Sequence, residues 1–144
     1  MTGRRDYRID EDWEAEGCAG VLAHLHRRYA ERCLGLSQGR NRNVFLFGRY
    51  VVKLPKNLDG VADNDWEGSV SNADDDPEEI RYPRTRMVYV HEVPVVFMEY
   101  VEPATAKDIE ARLGAVPEWV CSVDCHQVGF TRDGRLVAFD YGIR

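Results

Sequence analysis

Val44-Phe45-Leu46-Phe47-Gly48-Arg49-Tyr50-Val51-Val52-Lys53-Leu54-Pro55 is the stretch on which the fold turns. Val44 to Phe47 reads as a strand, Gly48-Arg49 as a tight turn and Tyr50 to Pro55 as the returning strand, an antiparallel hairpin. Lys53 stands inside the Val-rich return. A lysine is disfavoured there unless it is paired or points into a cleft. On an alternating pattern it can equally face water.

Outward from this hairpin, Val61 to about Asn72 reads as a helix, with Asn64, Trp66, Glu67 and Val70 as face residues and Gly68-Ser69 weakening it. Glu67 follows Lys53 at a distance that allows the two to meet. Alone it reads as a solvated charge. Ser71 to Glu79 is an acidic connector. Met87 to Val90 and Val95 to Val101 form a second hairpin, turned at His91-Glu92-Val93-Pro94. Two hairpins with a helix between them give an α+β fold, an antiparallel sheet with packed helices.

Before the first hairpin lie a polar start and a helix beginning near Asp10, with Glu11, Asp12 and Glu14 in its first turn. Trp13, Cys18, Val21, Leu22, Leu25, Tyr29 and Cys33 fall at helical spacing, and Gly35 is the expected stop. His24 and His26 fit flanking helix faces. Leu36 to Asn43 reads as a flexible basic loop whose backbone N–H groups can cover an anion.

After the second hairpin, a helix runs from about Thr105 to Leu113 and Gly114 stops it. Pro117 opens a short helix through Trp119 and Val120. A last hairpin has Phe130 at its start, Asp133-Gly134 at its turn and Leu136 to Phe139 returning. It brings Asp124 and Asp140 to the same end. Two carboxylates at one mouth suit a metal–phosphate site. A surface hairpin with acids at its ends is the plainer reading.

The bulk numbers narrow the classes. The 144 residues suffice for one domain with a real core. A net charge of −6 argues against nucleic acid as a partner. There is no apolar run near the roughly 18 residues that span a bilayer, and the N-terminus lacks a signal peptide's apolar core, so the expected location is cytoplasmic, with no membrane association. Cys18, Cys33, Cys121 and Cys125 are then reduced thiols, at spacings unlike a zinc site.

Taken in order, these parts resemble the protein-kinase-like superfamily, in the style of its atypical and small-molecule kinases. Val51-Val52-Lys53 is similar to the strand carrying the nucleotide-binding lysine, and Glu67 to its helix partner. Met98-Glu99-Tyr100-Val101 resembles a gatekeeper and hinge. Asp124-Cys125-His126 resembles the catalytic loop, and Asp140-Tyr141-Gly142 the metal-binding motif. The resemblance implies a single domain over 1–144: a helical extension at 1–34, a sheet like a kinase N-terminal lobe at 35–98, and a hinge with a much reduced C-terminal lobe, ending in a hairpin, at 99–144. It implies ATP and Mg²⁺ as cofactors. Lys53 would meet the phosphates and Glu67 would hold it. Arg40 and Arg42 would add charge over them, and the backbone of Glu99 to Val101 would bond the adenine. Asp140 and Gln127 would hold the metal, and Asp124 would take the acceptor's proton.

The pattern is incomplete. Gly129 stands where the family places a metal-binding asparagine, and Gln127 is the substitute. The glycine-rich loop is degraded, and the chain stops shortly after Gly142. Three readings follow. One is a kinase-like nucleotide-binding domain that phosphorylates a protein or a small molecule. Another is a catalytically inactive pseudokinase-like module that binds a protein partner. The third is an unrelated small α+β domain. Apolar surface near Trp119 and Ile143 adds the expectation of a homodimer.

Overall fold

Alternation along Val44–Pro55 sends Phe45, Val52 and Leu54 to one face of a sheet and Val44, Val51 and Lys53 to the other. The computed structural model describes residues 8–9, 19–70, 80–123 and 127–139. In it helix α1 (Ala19–Arg32) is followed by strands β1 (Gly35–Gln38), β2 (Arg42–Leu46) and β3 (Tyr50–Pro55). Helix α2 (Leu58–Val70) precedes β4 (Thr85–Val90) and β5 (Val93–Glu99). Then come β6 (Val101–Pro103), α3 (Ala106–Leu113), a 3-10 turn at Glu118–Ser122, β7 (Val128–Thr131) and β8 (Leu136–Ala138).

The strands make two antiparallel sheets, one of five strands in the order β1-β2-β3-β5-β4 and one of three in the order β6-β7-β8. The fold is therefore α+β, as expected. Helix α1 covers one face of the larger sheet through Leu22, Leu25 and Cys33, packed with Phe45, Val52 and Val95. Helix α2 lies on the other face. A second core gathers Ile109 of α3 with Val120, Val128, Phe130 and Leu136. Among the described residues no helix is long and apolar enough to cross a membrane.

Several expectations are corrected. Gly35 does not stop the helix. The Cys33 N–H closes the last turn on the Tyr29 carbonyl (2.9 Å), and the Leu34 N–H already bonds the Leu46 carbonyl (2.7 Å), so Gly35 enters a strand. The expected loop from Leu36 to Asn43 is a hairpin, because pairing with β2 satisfies its backbone while Ser37 and Gln38 stay exposed at the sheet edge. Only His91 and Glu92 turn the second hairpin, both in left-handed conformation (φ 45° and 70°). Pro94 belongs to β5, past the last β3 rung at Lys53–Val96, where its missing N–H breaks no bond.

Val101 does not continue β5. The larger sheet ends with the Glu99 N–H on the Arg84 carbonyl (2.9 Å) and the Tyr100 N–H on the Arg49 carbonyl (2.8 Å). Val101 then pairs with Thr131 in the smaller sheet. Of the helix face residues, Asn64 and Glu67 are buried, with Asp63 beside them, whereas Trp66 is 47 % exposed. Strands β2 and β3 offer polar partners to that face, Arg42 to Glu67 and to Asn64, and the Lys53 carbonyl to Asn64. The remaining apolar surface also differs from expectation. Trp119 is half-buried against the second core, and Ile143 lies outside the described residues.

Candidate active site

A cleft of about 480 Å³ opens between the two sheets. Leu36, Val44 and Val51 form its apolar roof. Pro103, Gln127 and Phe139 line it from the smaller sheet, and Met98 to Val101 close the back. Lys53 lines it from the larger sheet on the same strand face as Val51.

Lys53 is only 4 % exposed, a burial that a cation tolerates only when paired. Its Nζ donates to Glu67 Oε1 (3.0 Å) and to the Phe139 carbonyl (2.7 Å). Glu67 is fully buried and takes a second cation, with Arg42 Nη2 at 2.5 Å from Oε2. Burial pushes the Glu67 carboxyl up. Attraction to Lys53 and Arg42, with their hydrogen bonds, outweighs burial and holds it below the ordinary carboxylate range. Arg42 Nη1 also donates to Asn64 Oδ1 (3.2 Å), and Asn64 Nδ2 donates to the carbonyls of Lys53 (3.0 Å) and Pro94 (2.8 Å). The polar face of α2 is thereby locked to three strands of the larger sheet.

The structure brings Lys53 and Glu67 together and places Arg42 differently. Arg42 begins a strand and serves Glu67 from within the sheet–helix interface, so the expectation that it lies over phosphates is corrected. Arg40 sits exposed in the β1–β2 turn, which is pinned to the start of α2. The Lys56 N–H bonds the Asn41 carbonyl (2.9 Å), and Lys56 Nζ bonds that of Gly39 (3.0 Å). Gly60 lies so close that a Cβ there would come 2.2 Å from the Asn41 carbonyl oxygen.

At the back of the cleft, the N–H groups of Glu99 and Tyr100 are taken by the larger sheet. Val101 differs. Bonded and non-bonded pairs alternate along an antiparallel ladder. The Ala104 N–H on the Val128 carbonyl (3.0 Å) makes Glu102–Phe130 the next bonded pair and Val101–Thr131 a non-bonded one. The Val101 N–H and C=O therefore point away from β7. The Glu99 carboxylate accepts from the Arg84 backbone N–H (2.6 Å) and pairs with Arg135 and with the Arg84 guanidinium, the latter at 3.6 Å.

Gln127 lines the cleft, and its carbonyl accepts from the Phe139 N–H (3.1 Å), which closes the open end of the last hairpin. Asp124 and Asp140 lie outside the described residues. Gly129 packs against β6 so tightly that a Cβ would sit 2.1 Å from the Glu102 carbonyl oxygen, so an asparagine cannot occupy that place. Among the described residues no three His, Cys, Asp or Glu side chains cluster as a metal centre.

No protein-family model and no curated protein matches this chain.

The cleft joins an apolar slot, a backbone donor–acceptor pair and a buried cation held by a carboxylate. Such a set suits a flat heteroaromatic ligand that carries phosphates. Sequence reasoning missed the Phe139 carbonyl, whose only sequence signal is its place beside Asp140. It also missed the Asn64 lock, which a polar residue one helical turn before Glu67 signals weakly.

Proposed function

We propose that this chain binds ATP in the cleft between its sheets, in a protein-kinase-like arrangement, and transfers the terminal phosphoryl group to a protein or small-molecule hydroxyl. The observation that carries the reading is the buried Lys53–Glu67 pair (3.0 Å) on the wall of a cleft of about 480 Å³. The volume lies in the ordinary range for a small-molecule site, about 300–1,000 Å³.

Each residue has a role on this reading. The adenine lies between Val44, Val51 and the opposite wall, bonded by the Val101 backbone. Lys53 Nζ, set by Glu67, neutralises the inner phosphates. Gln127 and Asp140 would hold Mg²⁺, which supplies charge neutralisation on the transferred group. Asp124 orients the acceptor hydroxyl and takes its proton. Gly129 favours a second reading, a pseudokinase-like module that binds nucleotide without transfer and engages a protein partner. Its position cannot supply a side-chain oxygen, which leaves Gln127 with its longer stem.

Thermal unfolding with ATP, with and without Mg²⁺, tests the shared part. A ligand of the native state raises the midpoint, and Lys53→Met removes the rise. An unchanged midpoint in the wild type at millimolar ATP sinks both readings. Transfer of radiolabel from the γ-phosphate separates them: Asp140→Asn abolishes labelling by a kinase, and a binding module shows none in the wild type.

A further inference from the structure

A second hollow, of about 380 Å³, lies across the Tyr100–Glu102 segment and has a lining distinct from the cleft's except at Tyr100. Three arginines line it, Arg49 from the β2–β3 turn, Arg112 from the last turn of α3 and Arg132 from the β7–β8 turn. Glu102 is the single carboxylate in the lining. Among the described residues none of the three arginines forms an ion pair, whereas the neighbouring Arg84 and Arg135 are both engaged by Glu99 and Asp133. Three arginines therefore line one concavity of a chain with net charge −6.

Arg112 is also held in place. Its Cζ lies 4.0 Å from the centroid of the Phe130 ring, a cation–π contact that holds the guanidinium against the ring. A fixed fork of N–H donors matches a phosphate's oxygens and loses little freedom on binding. Three arginines around one pocket suit a dianion better than a single carboxylate. Tyr100 gives the same pocket aromatic surface, and its volume exceeds what an inorganic phosphate needs.

We infer that this pocket binds a phosphate ester on a small, preferably aromatic, organic group, presented as a free metabolite or as a phosphorylated side chain. The inference does not rest on the reading of the cleft. Three elements that meet only in the folded chain supply the cations, so no local sequence motif announces the site.

Calorimetric titration of the full chain with phenyl phosphate tests it, with phenol as the uncharged control. The expected result is saturable binding of phenyl phosphate and none of phenol. Arg112→Gln with Arg132→Gln weakens binding by at least tenfold, on the order of one lost charged hydrogen bond. Both side chains are exposed, so the thermal midpoint of the double variant stays near the wild type, and Arg49→Gln is an independent check. Equal affinity in wild type and double variant, or no binding of phenyl phosphate at millimolar concentration, overturns the inference. A phosphotyrosyl peptide that binds more tightly than phenyl phosphate assigns a phosphorylated side chain as ligand, and equal or weaker binding assigns a free ester.

Discussion

Two ion-pair clusters flank the junction of the sheets, made of the same kinds of side chain in opposite surroundings. In the first, Glu67 takes Arg42 and Lys53 where all three are at most 6 % exposed. In the second, Glu99 and Asp133 share Arg84 and Arg135, and side-chain exposure runs from 18 % at Glu99 to 73 % at Arg84. Water screens the second cluster, so each of its pairs adds little. In the first, water is gone, and each charge survives only through its partners. The difference teaches that only one of the two is structurally obligatory. It is also the one that borders the cleft.

The sharpest way to break the comparison is Glu67→Gln, which takes from the buried Lys53 and Arg42 the carboxylate they share. Loss of about 3–5 kcal/mol in urea unfolding at neutral pH is expected. Acid should act on the same cluster. The folded Glu67 carboxyl titrates below its unfolded value, so its contribution is complete above the ordinary carboxylate range and disappears as pH falls through the folded pKa. Glu67→Gln should flatten that part of the stability profile.

His26 asks whether burial alone, without an ion pair, makes a polar group pH-sensitive. Its Nδ1 lies 2.9 Å from the Leu22 carbonyl, and its Nε2 lies 3.0 Å from Asn43 Nδ2. Nδ1 then donates and Nε2 accepts, the arrangement of a neutral ring. Burial lowers its pKa from 6.5 to about 4. Stability is therefore full above pH 6.5 and falls as pH drops toward 4, by about 3 kcal/mol in all. His26→Gln, followed by unfolding across that window, should remove the slope. A wild-type profile flat from 6.5 to 4 would show that the ring is solvated.

Gly68→Ala tests how closely the buried cluster depends on the seat of α2. A Cβ at Gly68 meets Met87 Cβ at 2.9 Å, so the helix must shift beside Glu67. A loss of about 1–3 kcal/mol is expected, with weaker nucleotide binding in the thermal assay. Last and smallest, Arg135→Gln in the exposed cluster should cost below about 1 kcal/mol, and less still in high salt. A larger, salt-insensitive loss would erase the distinction between the clusters.

Legibility in the sequence followed locality. Helix α3 was readable because Thr105 and Gly114 act through their own backbones, Thr105 capping Asp108 and Gly114 turning left-handed at φ 85°. The last hairpin was readable from Asp133-Gly134 for the same reason. Strand β1 was not, since Gly35 to Gln38 has no apolar alternation and pairs only because β2 lies alongside. The break at Tyr100 was hidden because Val95 to Val101 keeps one strand-like pattern across two sheets. Trp66 does not share the inner face with Asn64 and Glu67, because that face of α2 answers to carbonyls and cations. Lys53 and Glu67 were legible as a pair from strand context and spacing. The third member, Arg42, was not, because its role depends on β2 being a strand.

The Phe139 carbonyl gives Lys53 a second commitment. The ammonium has three donors, and the carbonyl holds one of them across the gap between the sheets. On the proposed reading, a phosphate oxygen entering the cleft would compete with the Phe139 carbonyl for that ammonium. Occupancy of the cleft and the closure of the two sheets on each other would then be a single equilibrium, with one nitrogen atom as its pivot.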